Sequence, residues 1–159
     1  RRQMVRALGS LPVADEADIL KRARDLMTAV KAPLAEVKST QEKVLEQNAD
    51  YLSRGALKQL EDRNKRELNA RERSGIMEAL ASARSLLRDV ALTFEGVDDI
   101  VNADALDIVG RLAEATTPAG ATQAIEAVAR AEHRIARNVT PQLAVEVMLF
   151  DIRKALKCR

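Results

Sequence analysis

One histidine, His133, and one cysteine, Cys158, bound the chemistry open to this chain of 159 residues. A di-iron site inside a helical bundle needs an inward Glu-x-x-His on each of two helices, and here the residue three before His133 is Arg130. A zinc site built from His and Cys fails for the same shortage of ligands. Nucleophile triads need a histidine beside Ser or Cys, and no serine stands in a GxSxG turn. Six scattered glycines form no GxxxxGK[ST] phosphate cradle. His133 reads as a partly exposed helix residue. We expect no catalytic residue, metal or cofactor.

Paired carboxylates occur at Asp98-Asp99 and at Asp104 with Asp107. Acids at a helix N-terminus favour the helix dipole, which accounts for them without an acid–base role. The richest basic stretch, RGALKQLEDRNKRELNARER at residues 54–73, holds seven Arg or Lys and four acids. Its spacings suit intrahelical pairs such as Glu61 with Lys65 and Glu67 with Arg71. It lacks the aromatics on which nucleic-acid bases stack, so a solvated helix face is expected and DNA contact is not.

The elements that carry these residues are helical. Hydrophobic residues make up 47% of the chain but aromatics only 2%, with Ala, Leu, Glu, Lys and Arg abundant, which is a helix-former's composition. Apolar spacing follows a period near 3.6 throughout, and no stretch alternates at period two for long enough to suggest a strand. Charge is nearly balanced, 26 basic against 24 acidic residues, so no strong field toward nucleic acid or anionic membranes is expected. A lone cysteine fits a reducing cytoplasm, and no apolar run approaches the roughly 20 residues that span a bilayer.

Cap signals divide the chain. Met4, Val5 and Leu8 read as the last turn of a preceding helix, residues 1–9, so the chain is expected to be a fragment. Asp15 can cap a helix that runs until Pro33. Residues 34–74 read as a charged antiparallel helical hairpin, and the pattern that resumes at Ala56 continues to Phe94, with Gly75 marking a kink. Gly96 suits the position after a helix end, and Asn102 suits the next N-cap. Thr117-Pro118 and Thr140-Pro141 each read as a cap followed by proline in the first turn.

The last helix is apolar on most of its circumference. Val145, Met148, Leu149, Ile152 and Leu156 are its candidate core or interface residues, and the spacing alone does not separate the two roles. The expected architecture is one all-α domain over 1–159, a bundle of five to six helices with its main body at 76–157 and a protruding hairpin.

Two segments resemble a known family. AIEAVARAEHRIARNVTPQLAVEVMLFDIR is similar to the end of the delta-prime subunit of the bacterial DNA polymerase III clamp loader. There a helix closes into Asn-x-Asn-Pro and a Leu-Ala-Leu-Glu-rich helix follows. Asn138, Pro141, Leu143, Ala144 and Glu146 match that pattern, Thr140 replaces the second asparagine, and Val145 replaces a leucine. GALKQLEDRNKREL, residues 55–68, resembles the helical insertion of actinobacterial delta-prime subunits. The resemblance extends from about residue 55 to 157. It implies a collar domain that holds clamp-loader subunits together during sliding-clamp loading, with delta and gamma/tau type subunits as partners. The ATPase-like domains and the Ser-Arg-Cys motif would lie outside this chain. A broad apolar helix in such a domain also implies self-association in isolation. The competing reading is a stand-alone helical adaptor that binds a protein partner through the 34–74 hairpin.

Overall fold

The computed structural model describes residues 1–97 and 99–156; Asp98 and Cys158 lie outside the described residues. Among those described there are seven α-helices, two 3-10 turns and no strand. The helices are α1 (Arg2–Ser10), α2 (Glu16–Lys31), α3 (Leu34–Asn48), α4 (Arg54–Phe94), α5 (Leu106–Glu114), α6 (Pro118–Ala136) and α7 (Pro141–Leu156). The 3-10 turns are Leu11–Val13 and Ala103–Ala105. Seven helices are thus described where five to six were expected, because the segment read as the end of a preceding helix is a nine-residue helix in its own right, whereas the short helix expected over 103–115 is present as the second 3-10 turn followed by α5. No helix is long and apolar enough to cross a membrane.

The chain divides into two compact units, Thr28–Ile76 and the remainder, with the boundaries inside α2 and α4. The larger unit holds the main core. Met4, Leu8, Leu11, Ile19, Leu80, Leu87, Leu112, Met148, Leu149 and Ile152 have no exposed surface there. Within it α7 packs chiefly against α6 and also against the first 3-10 turn. The buried face of α6 is made almost wholly of small residues: Gly120, Ala121, Ala124, Ala127 and Ala131, with Val128 and Ile135. Small side chains let two helix backbones approach closely, and this gives the shortage of bulky aromatics a structural use.

The tightest point of that approach is Gly120. A Cβ there would lie 2.6 Å from the Ala155 carbonyl oxygen and would also collide with Thr116 Oγ1. Alanine exceeds glycine by only about 1 kcal/mol in helix propensity, which cannot offset a collision with backbone. Gly120→Ala is expected to destabilise the larger unit by about 1 to 3 kcal/mol through overpacking. Urea unfolding that shows no loss would mean the two helices separate at no cost.

The smaller unit contains the end of α2, all of α3 and α4 as far as Ile76. Three contacts fix α4 antiparallel to the chain before it. Gln41 Nε2 donates to Glu67 Oε2 at 3.1 Å, Lys31 pairs with Glu72 at 3.4 Å, and a Cβ on Gly75 would meet Val30 Cγ1 at 3.0 Å. Gly75 thus serves close approach, and α4 continues through it as helix. α3 buries no residue completely, so this unit has little core of its own.

Candidate functional site

Several helix ends follow local chemistry. Asp15 Oδ1 accepts from Asp18 N at 2.7 Å, capping α2, and Ser53 Oγ accepts from Ala56 N at 3.3 Å, so α4 starts at Arg54. Thr117 Oγ1 accepts from Gly120 N at 3.1 Å with Pro118 behind it, the arrangement that leaves fewest orphaned donors. At α7 the Thr140 carbonyl accepts from Ala144 N at 3.0 Å, with Pro141 as the first helical residue. α6 closes with Val139 N donating to the Arg134 carbonyl at 3.0 Å and Asn138 at φ 62. Asparagine is the residue other than glycine that best tolerates this left-handed backbone.

Asn102 behaves differently. It precedes the Ala103–Ala105 turn, but its side chain makes no cap bond. A long-range partner has taken it instead. Asp89 Oδ2 accepts from both the backbone N and the Nδ2 of Asn102, each at 2.7 Å, and Ser85 Oγ also accepts from Nδ2 at 3.0 Å. Arg1 Nη2 donates to Asn102 Oδ1 at 2.9 Å, and Arg88 lies 3.3 Å from Asp89. Asp89 has no exposed surface. Ser85, Arg88 and Asp89 were not singled out from the sequence. The signal was an acid one residue before Val90, inside the apolar stripe of α4.

Asp99, Asp104 and Asp107, considered for acid–base work, are engaged electrostatically. Asp99 pairs with Arg88 at 3.1 Å and Asp107 with Arg111 at 3.2 Å. Asp104 takes a bidentate guanidinium from Arg1, and that hydrogen bonding holds its carboxyl below the ordinary value of 3.8. Because the folded pKa is lowered, the stabilisation is present above the unfolded value and is lost as pH falls through the folded one. Asp104→Asn is therefore expected to reduce stability slightly at neutral pH and not at all in strong acid. The pair is solvent-exposed, so the difference is small. Denaturant midpoints measured at both pH values check this.

Among the described residues, no three His, Cys, Asp or Glu side chains gather as a metal-binding group. His133 is exposed on α6, in a shallow groove with Glu126, Ala129, Arg130 and Arg134. In the basic stretch, Glu67 pairs with Arg71 at 2.7 Å, while Glu61 and Lys65 are not within ion-pair distance. Val145, Met148, Leu149, Ile152 and Leu156 are each at most 1% exposed, all on the core side of the choice that spacing left open. Of the large apolar residues of α7, Leu143 alone is exposed. The bundle thus covers most of the apolar surface on α7, while Val147 and Phe150 remain half-buried.

No family model, known protein or solved structure matches this chain.

What remains for recognition is surface. In the larger unit, exposed apolar side chains occur at Val13, Val101, Leu106 and Leu143. In the smaller unit, Val44, Tyr51 and Leu52 stand out at or near the turn between α3 and α4, and Tyr51 is 86% exposed. Together with the less exposed Leu20, Met77 and Val97 of the larger unit, these are apolar residues through which the molecule can bury further area against a partner.

Proposed function

We propose that this chain is a non-catalytic assembly domain of the collar type, belonging to a DNA polymerase III clamp loader as its delta-prime subunit. The observation that best supports this reading is the corner between α6 and α7. Residues that carry the family resemblance have definite work there. Asn138 takes the left-handed backbone, Pro141 starts α7, and Ala144 enters the core. The corner thus gives a physical reason for the residue types on which the resemblance rests.

In this reading the apolar residues of α7 stabilise the domain, and contact with delta and gamma/tau type subunits falls to the exposed apolar positions of the larger unit. The test is capture of the chain by the other clamp-loader subunits of the same organism at low and moderate salt. Retention that resists salt is expected. Replacing Val101 and Leu106 with serine should weaken it while leaving the unfolding midpoint nearly unchanged, since surface changes usually stay within about 0.5 kcal/mol. A folded chain that no subunit retains at either salt would remove the collar reading.

The exposed cluster at Val44, Tyr51 and Leu52 favours a second reading, an adaptor that binds through the hairpin. Tyrosine is enriched among the residues that dominate interface energetics. Loss of capture on Tyr51→Ala, with Val101 and Leu106 dispensable, would select it.

A further inference from the structure

Between α1 and the first turns of α2, all within the larger unit, lies an open cavity of about 260 Å³. Gln3, Arg6 and Ser10 border it from α1 at helical spacing, and Arg22 and Asp25 border it from α2, one turn apart. Leu26, which is buried, also lines it. Drug-sized ligands fill roughly 300 to 1,000 Å³, so an occupant of this cavity is smaller than those.

Arg22 is held in place before any ligand arrives. The Ser10 hydroxyl lies 2.9 Å from the Arg6 carbonyl oxygen and 3.0 Å from that of Ala7, and it donates its one proton there. Its lone pairs are left to accept from Arg22 Nε at 2.7 Å. One edge of the guanidinium is thereby fixed, and the side chain is 24% exposed. The acid in ion-pair range, Asp18, stands 3.9 Å from Nη1, too far for a hydrogen bond. Arg6 and Asp25 are exposed, and among the described residues neither side chain makes an ion pair or a hydrogen bond, with the other or elsewhere. The wall therefore sets two guanidinium groups against one carboxylate and leaves donors of both arginines unspent.

We propose that this cavity binds a small oxyanion, the phosphate or carboxylate group of a low-molecular-weight solute, on the free Nη edge of Arg22 with Arg6 as the second donor. A guanidinium fork matches the paired oxygens of such groups, and the charge-assisted bonds it makes are roughly twice as strong as neutral ones. Ser10 is a positioning residue, because it holds Arg22 and does not touch the anion. Asp25 repels a bare anion and accepts from a hydroxyl or ammonium where the solute carries one.

The test titrates inorganic phosphate, and separately acetate, into the whole chain in a chloride medium while the arginine side-chain N–H resonances are followed. A saturable shift of the Arg22 Nε–H signal is expected with at least one of them, and the anion that produces it names the group bound. No saturable shift with either would overturn the site. Ser10→Ala and Arg22→Lys keep the positive charge but lose the fixed fork, so each should weaken binding about tenfold, the equivalent of one hydrogen bond to a charged group. Asp25→Asn should strengthen it. Arg24→Gln, exposed on α2 and outside the cavity, should leave it nearly unchanged, with circular dichroism verifying that every variant is folded. Equal weakening by Arg24→Gln and Arg22→Lys would mean a general attraction of anions to the surface and no site.

Discussion

Replacing Leu149 with alanine is expected to lower the unfolding free energy of the larger unit by about 2 to 5 kcal/mol. Leu149 has no exposed surface and lies among other fully buried side chains of α7, Met148 and Ile152. Truncation removes the transfer free energy of the lost carbons and leaves a void that close-packed helices can only partly fill. Native domains are stable by about 5 to 15 kcal/mol in all, so the change removes a large share of the margin. Leu143, on the same helix, provides the internal comparison. It is 52% exposed, and Leu143→Ala is expected to stay within about 0.5 kcal/mol. Urea titrations followed by far-ultraviolet circular dichroism distinguish the two. Equal effects would mean that α7 does not have the buried side described.

Asp89→Ala is expected to cost about 2 to 5 kcal/mol, by a different route. No large volume is lost. Instead the backbone N–H of Asn102 loses its acceptor, the Asn102 side chain loses one of two, and Asn102 is itself 3% exposed. Hydrogen bonds to a charged group contribute about 1.5 to 3 kcal/mol each, more than neutral ones, and a stranded buried donor adds its desolvation cost. Asp89→Asn keeps the shape and one acceptor oxygen, so it should lose less. The local signature is faster amide exchange at Asn102. Global destabilisation without that signature would place the role of Asp89 elsewhere.

Much of the helical order is legible because helix ends are decided within a few residues. Asp15, Thr117-Pro118 and Pro141, and Gly96 with its left-handed backbone at φ 64, each act on backbone no more than one turn away, so their residue types announce them. Asn102 shows where such reading stops. Its type suits a cap, but Asp89, 13 residues earlier, competes for the same side chain, and only packing of α4 against the later loop brings them together. The five apolar residues of α7 were found and their role was not, because core and interface use the same side chains. Asn64, 7% exposed, gave no signal at all, because in a charged hairpin one more amide resembles a solvent-facing residue and its burial becomes visible only in the fold.

The placement of Tyr51 has an optical consequence. The chain has no tryptophan and this single tyrosine, which sits on the open turn between α3 and α4 and not in the main core. Intrinsic emission therefore reports on one loop. A partner that covers the turn should quench or brighten it even if no helix moves, whereas melting of the α6–α7 core should leave it nearly silent. Ligand titration and unfolding can then be followed in one sample, by emission and by circular dichroism, with little crosstalk.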